Sequence, residues 1–572
     1  MNKLKQIYNS IPGRILRWVL ALAPAVLAIL LAVYYITGPG EGYFHSDCSD
    51  SLYWANATYE SGHVFDETYR YAGLLPFSAS AWMVPLIQVF GFGMTAHNIA
   101  MIIFAVLFAG SIWFCCSSAG LEKGFCGIAV FCTFMMLSSS DKLREILWGH
   151  TIYYSVGLII LFYTAGLCIR VMNSFESRHW VRFGIFSALT AAICAGCATD
   201  GMQVIVLAAL PVAGAVFCER IFCGDKLISK KTLSPVITLA LVGAGTLAGL
   251  FLLKIFKGTN IEAGYADAYS GWSDVSAWAD NAKAFVLRYF TLIGAVPEDA
   301  ETLFAKESLS AIIRIGVGVV ILVVPVLMLC FYHKLSSRGV KIILIAHFIE
   351  SAAIMFGFIC GKLSGANWRL TPMVGSAVLV TIIGARELWM GGVFSTKTDE
   401  KSASGGRVLV RIGALLCACL VLSSCISAKE IKKMDKDYGQ DNYNHRLAAF
   451  LEEKGLEYGY ATFWYSQAIT VISESKVKCR EVLAEKRGVY SDYYQSSRTW
   501  YVNQDYDKFF ILLSINEYKS VKDSEMWQNA LEYKLEDFTA TTSEDEALGY
   551  GVAGFVITVF DRNVLDENVM DE

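Results

Sequence analysis

The sequence predicts a polytopic α-helical membrane protein of about eleven spans, followed by a C-terminal extracytoplasmic α/β domain. Three observations predict it. Apolar stretches long enough to cross a bilayer as helices recur between Ile15 and Ala428. The chain is 55% hydrophobic and only 17% charged, well under the roughly one-quarter of a soluble domain, so its apolar surface has to face lipid or other helices. Lys and Arg residues collect on alternate connections between the stretches, and carboxylates and aromatics collect on the others.

The expected spans are 15–37, 95–118, 125–140, 150–170, 183–199, 202–219, 233–254, 309–332, 341–360, 370–388 and 408–428. Lys3, Lys5, Arg14 and Arg17 precede the first, which reads as a retained signal anchor with a cytoplasmic N-terminus. The other segments then assigned to the cytoplasm hold Lys123; Arg170, Arg178 and Arg182; Arg220, Lys226, Lys230 and Lys231; Lys334, Arg338 and Lys341; and Arg386, Lys397 and Lys401. Every one is basic, and a missed or invented span would scramble that alternation downstream. The count places residues 429–572 outside the cell membrane, as a soluble α/β domain beside a transmembrane domain of residues 1–428. Outer loops cover 38–95 and 257–308, and 395–406 reads as a cytoplasmic linker. Within the first loop, the apolar segment 74–93 is broken by Pro76 and Pro85 and reads as a helix lying in or dipping into the outer interface.

In the C-terminal domain, β-type runs at 460–464, 477–482, 508–514 and 554–560 alternate with polar helical runs at 444–454 and 527–533. Its aromatics, Trp464, Tyr465, Tyr493, Tyr494, Trp500 and Tyr501, suit either a core or sugar stacking. The net charge of −4 argues against nucleic acid as a partner. Most of the 16 cysteines lie in apolar runs as small hydrophobes, and Cys479 stands alone in the C-terminal domain.

Residues that could carry chemistry cluster outside the spans. If the first loop is helical from about Ser46, then Asp47, Asp50 and Trp54 share a face at i, i+3 and i+7. Both carboxylates then sit in the first turn, where the helix dipole favours their ionised form. Asp66 and Glu67 follow a Gly62 turn. Such carboxylates suit a general base or a divalent metal, and equally a solvated, capped loop helix. Glu145 and His150 flank Trp148 near a span start, and Asp200-Gly201 reads as a tight turn at the same depth. In the second loop Asp267, Tyr269, Trp272, Asp274, Trp278 and Asp280 interleave, as sugar-gripping residues or as a helix at headgroup level. Asn56-Ala57-Thr58 has the form of a glycosylation sequon.

This order resembles a known class: a basic N-terminus, one span, a loop opening on Asp47, then Pro85-Leu86 and Phe90-Gly91 before the next span. It is similar to the GT-C integral-membrane glycosyltransferases, which take sugars from polyprenyl-phosphate carriers. Cys48 stands where that class has a second acid, so Asp50 or Asp66 would supply one, and Val84 stands where it has the first of two prolines. The resemblance implies that Asp47 accepts the proton of an incoming hydroxyl while polyprenyl phosphate leaves with inversion. Charge on the leaving phosphate would be met by Lys142, Arg144, Lys254, Lys257, Arg288, Lys362 or Arg369. Arg369, just before Leu370-Thr371-Pro372, matches an Arg…Pro pattern of the class. His150, Asp200, Trp54, Asp66 and Glu67 complete the expected substrate contacts. A divalent metal stays open, with Asp47 and His150 as its ligands, and the acceptor stays open among glycan, lipid and protein. A lipid or solute transporter would show deep charges, of which Glu350 and His347 are the main ones, and internal repeats. A non-catalytic envelope assembly protein is the third reading.

Overall fold

The computed structural model describes residues 11–150, 153–222, 232–258, 261, 271–296, 306–363, 365–390, 400–436, 442–541 and 554–565. Of the residues singled out above, Lys3, Lys5, Lys226, Lys230, Lys231, Asp267, Tyr269 and Lys397 lie outside this set. Among the described residues ten helices are long and apolar enough to cross a membrane, each on an expected span. The remaining span, 125–140, is a bent pair: helix Lys123–Met136 turns by 118° into Asp141–Trp148. The first piece has 14 residues, which makes it about 21 Å long. Charge explains the bend. Asp141, Lys142, Arg144 and Glu145 cannot continue an apolar span, and Ser140 caps the new helix by accepting from the Leu143 N–H at 3.1 Å. Leu143, Ile146, Leu147 and Trp148 are buried, so the second piece is amphipathic.

The chain forms two compact units that are not continuous in sequence. The first holds residues 1–35, 102–255 and 269–434, and the second holds 36–101, 256–268 and 435–572.

The first unit is helical. Helices Tyr153–Glu176 and Thr371–Trp389 are buried along almost their whole length and form its centre. Helix Leu233–Lys257 approaches Trp180–Thr199 closely at Gly245 and Gly249, where a side chain would collide with the Ala191 and Ala195 carbonyls. The connections expected to be cytoplasmic gather at one end of this unit. There Arg386 donates to Glu122 at 2.6 and 3.2 Å and to Glu387 at 2.6 Å. Arg338 reaches Glu176 at 2.7 Å and Glu219 at 2.9 Å, and Ser337 bonds the Ala119 carbonyl at 2.7 Å. Burial opposes ionisation of Glu122, but its bonds to Arg386 win and hold it below the usual value. At the opposite end Ser140 bonds the Leu292 carbonyl at 2.5 Å, Asn281 bonds the Ile359 carbonyl at 2.9 Å, and Arg314 bridges Gly294 O at 3.2 Å and Glu430 at 3.0 Å.

The second unit is built on a six-stranded mixed sheet of order β3-β2-β1-β4-β6-β5. The strands are β1 Tyr458–Ala461, β2 Lys478–Glu485, β3 Gly488–Ser491, β4 Phe509–Ser514, β5 Lys534–Thr541 and β6 Gly554–Phe560. β1 runs parallel to β2 and β4, and the other pairs are antiparallel. Helix Phe463–Ile472 makes the parallel crossover from β1 to β2. It covers a core of Leu451, Ile469, Cys479, Phe510, Leu512 and Ile557. Three of the expected β runs coincide with strands, whereas 460–464 is split: its first two residues close β1 and its last two open that helix. Trp500 and Tyr501 are core residues, while Trp464 is 52% exposed.

The first loop belongs to this unit. Helix Ser46–Ser61 starts after extended His45 and ends at Gly62 in the left-handed conformation, whose N–H bonds the Thr58 carbonyl at 3.0 Å. Its serines and alanines are buried, which lets it lie close against Phe463–Ile472, and Ser46 bonds the Phe463 carbonyl. Asn56 is buried mid-helix, so the sequon offers no accessible amide. The segment after Pro76 is a 10-residue helix, Ala81–Phe90, with exposed Val89 and Phe90. Glu474 and Ser475, both with positive φ, close the loop: Glu474 accepts from the Thr95 N–H and hydroxyl at 2.8 Å, and Ser475 bonds Phe92 O at 2.6 Å. A side chain on Gly93 would strike Glu474.

Candidate functional site

In the helical unit the segment from Ser140 to Tyr154 brings cations, a histidine and aromatic rings together. Arg144 is nearly buried, donates to Ser138 O at 2.7 Å and to Asp141, and stands over the Tyr35 ring, which pins the short Asp141–Trp148 helix in place. Lys142 pairs with one oxygen of Glu145 at 2.5 Å, and the other Glu145 oxygen lies 3.4 Å from His150 Nε2. His150 is buried, and its carbonyl accepts from Ser155 at 3.1 Å. Lys142 Nζ is 5.1 Å from the centre of the Trp368 ring, and Arg369 is 5.8 Å from that of Tyr154. The 3-10 turn Asn367–Leu370 that carries Trp368 and Arg369 leads into helix Thr371–Trp389, with Pro372 in its first turn. Two cations beside a helix N-terminus form an arrangement that favours an anion such as phosphate. Glu145 and His150 supply an adjacent carboxylate and imidazole, the donor types that a divalent cation takes.

Asp200 is buried at the C-cap of Trp180–Thr199, before Gly201 with φ +86°. Arg288 is exposed beside Val286 and Leu287 on helix Trp278–Leu292. Asp280 pairs with Lys283 at 2.9 Å on an exposed turn, and Trp272 is 65% exposed. Trp368 and Tyr154 were not among the expected contacts. A Trp-Arg pair directly before Leu-Thr-Pro was the available signal for the first.

In the second unit Asp47 is half-buried in the first turn of Ser46–Ser61, with no hydrogen bond or ion pair among the described residues. The expected shared face exists, and one side chain reads two of its members: Gln495 donates to Asp50 at 2.9 Å and accepts from Trp54 Nε1 at 2.8 Å. The Gln495 carbonyl takes the Tyr69 hydroxyl at 2.6 Å and Gln467 Nε2 at 3.2 Å. Asp66 caps its own turn through the Thr68 N–H at 2.8 Å, and Glu67 is exposed beside it. Asp50, Trp54 and Asp66 therefore hold the loop's shape, and Asp47 is left with its carboxylate uncommitted. Replacing Gln495 with Leu orphans the buried Trp54 N–H. We expect this to loosen the Ser46–Ser61 helix by about 1–3 kcal/mol, read as faster amide hydrogen exchange confined to that segment.

Beneath this network sits Glu481 on β2, fully buried, with only Gln467 Nε2 at 3.4 Å from one oxygen and no partner for the other among the described residues. Burial, then the nearby Asp492 and Asp50 carboxylates, push Glu481 well above the usual carboxylate range. Because the folded value is raised, its favourable contribution is complete below the ordinary carboxylate range. It is lost as pH rises through the folded value, at about 1.4 kcal/mol per pH unit inside that window. Glu481→Gln should flatten the decline in thermal midpoint with rising pH; an unchanged slope would remove Glu481 as its source.

No protein-family profile and no curated protein sequence matches the chain. Its structure is similar to ArnT from Cupriavidus metallidurans in the apo state, with TM-score 0.50 and 10% identity over 98% of this chain and 99% of that one. ArnT from the same organism bound to undecaprenyl phosphate gives TM-score 0.49 and 11% identity over 97% and 99%. The Archaeoglobus fulgidus oligosaccharyltransferase in complex with Zn and sulfate gives 0.46 and 11% over 91% and 72%. The end-to-end likeness to apo ArnT shows that the chain has a GT-C-type membrane fold.

Proposed function

We propose that the chain is a membrane glycosyltransferase that moves a sugar from a polyprenyl-phosphate donor to an acceptor on the outer face of the membrane. In this reading the N-terminus is cytoplasmic and the C-terminal domain extracytoplasmic. The observation that carries the reading is the grouping of Lys142 and Arg369 at a helix start on a GT-C-type fold. ArnT, whose fold this chain shares, has been seen with undecaprenyl phosphate, a carrier of the same chemical class.

The reaction assigns a task to each group. An acceptor hydroxyl oxygen attacks the anomeric carbon, and the bond from that carbon to the phosphate oxygen breaks with its electron pair on phosphate. The configuration inverts. The hydroxyl proton passes to Asp47, whose carboxylate is uncommitted and near a helix N-terminus. Lys142 and Arg369 neutralise the phosphate as it leaves. Asp50, held by Gln495, positions the helix that presents Asp47. A divalent metal, where present, would supply Lewis-acid help, with Asp47 or the Glu145–His150 pair as its ligands.

The test is a reconstitution of the full chain in liposomes containing an undecaprenyl-phosphate-linked sugar. Release of undecaprenyl phosphate together with a new glycoside supports the reading. Movement of intact donor across the bilayer without consumption sinks it in favour of a flippase.

A further inference from the structure

The second unit carries a polar hollow that the transfer chemistry does not use. The first loop meets the C-terminal domain in a short antiparallel bridge between Tyr69 and Ser497, with Arg70 N–H bonded to Ser496 O at 3.0 Å and Arg498 N–H to Thr68 O at 3.1 Å. In such a bridge alternate residues share a face. Tyr69 turns inward, is buried, and packs edge-on to Trp500 with ring centres 5.9 Å apart. Thr68, Arg70, Ser496 and Arg498 take the other face, and with Glu67 and Tyr493 they line one solvent-open hollow.

The register decides what this hollow suits. Arg70 lies opposite Ser496, so Arg498 is its diagonal neighbour, at a backbone spacing of about 7–8 Å that long side chains readily close. Two guanidinium groups thus flank one recess on a chain whose net charge is −4. Arg70 is exposed and has no ion pair among the described residues. Arg498 stands over the half-buried Tyr493 ring at 5.8 Å from its centre. Planar donors match carboxylate or phosphate oxygens two at a time. A tyrosine face suits the C–H face of a sugar ring, and the Glu67 carboxylate suits ring hydroxyls. The hollow is also fixed in shape, because its two strands are tied by main-chain bonds and by Thr68 Oγ1 to Ser497 Oγ at 2.8 Å.

We propose that this hollow binds an anionic sugar residue, one bearing a carboxylate or a phosphate, and that it holds the acceptor glycan of the transfer reaction. The acceptor role rests on the glycosyltransferase reading; the binding of anionic sugar does not. The arginine pair grips the anionic substituent and Tyr493 supports the ring.

The test measures binding without a donor, so it stands or falls separately from transfer. The full chain in nanodiscs is titrated with a uronate-containing tetrasaccharide, with the same tetrasaccharide reduced to its neutral alcohol, and with inorganic phosphate. The expected result is saturable binding of the uronate form, weakened about tenfold by carboxyl reduction and by Arg70→Ala with Arg498→Ala, and displaced poorly by phosphate. An unchanged thermal midpoint and unchanged hydrogen exchange across 66–71 and 495–498 show that the double variant keeps the bridge. Tyr493→Leu should weaken the sugar while leaving phosphate binding unaltered. Equal binding of charged and neutral glycans, or retention of binding in the double variant, overturns the proposal. Competition by phosphate as strong as by the glycan reduces the hollow to a plain anion site and overturns its sugar half. Binding without any transfer activity sustains the anionic-sugar site and removes the acceptor role.

Discussion

Asp47→Asn is expected to lower turnover from a polyprenyl-phosphate donor by about 10²–10⁴-fold while leaving the fold in place. Asparagine has the same shape and stays compatible with the start of a helix, but it cannot take the proton of the attacking hydroxyl. The structural cost is small because Asp47 holds no hydrogen bond or ion pair among the described residues. Only its favourable interaction with the helix dipole is lost, about 0.3–1 kcal/mol. Asp50→Asn serves as the contrast. It keeps an oxygen for Gln495 and should reduce turnover only as far as it shifts the helix, with the loss visible in hydrogen exchange of Ser46–Ser61. Wild-type turnover in Asp47→Asn would end its role as base and leave the membrane architecture untouched.

Arg369→Ala is the second large effect. Its guanidinium stands over buried Tyr154 at the start of a central helix, and the half-buried setting strengthens its field relative to water. Losing one such cation at a leaving phosphate should lower kcat/KM for the donor by about 10²–10³-fold. Arg369→Lys should recover part of this, because charge survives while the planar fork is lost. Lys142→Ala should act in the same direction and free Glu145 from its 2.5 Å pair, so a changed pH profile is expected there as well. Lys283→Ala, on an exposed surface pair with Asp280, is the control and should stay within about twofold. If Arg369→Ala and Lys283→Ala behave alike in donor kinetics, the leaving phosphate is met elsewhere.

Much of this molecule was legible before any fold was known. Ten of the eleven expected spans are found among the described residues, because a run such as 94–118 or 338–359 needs no partner to declare itself, whereas 125–140 is broken by the bend after Met136. The gathering of Glu122, Arg338 and Arg386 at one end of the helical unit follows from the same alternation of basic connections. The bend after Met136 differs from the expected span 125–140, because Ser138–Ser140 do not interrupt an apolar window and only the charges of Asp141, Lys142, Arg144 and Glu145 mark the change. The first two residues of helix Phe463–Ile472 carry a strand signal as well, because an apolar aromatic run suits either form, and packing of this helix against β2 decides the matter. At the candidate site the sequence supplied Asp47, His150 and Arg369 as residues. It supplied none of the contacts that distinguish them: Gln495 on Asp50 and Trp54, Tyr154 under Arg369, Glu145 between Lys142 and His150.

What the sequence settled alone is where the long apolar helices lie and which connections between them are basic, since both are sums over neighbouring residues of the free energy of leaving water. What only the tertiary structure decided is which carboxylates are already spoken for. That depends on partners hundreds of residues away, such as Gln495 for Asp50 and Glu474 for Thr95, brought close by burial of side chains whose order along the chain carries no trace of the meeting.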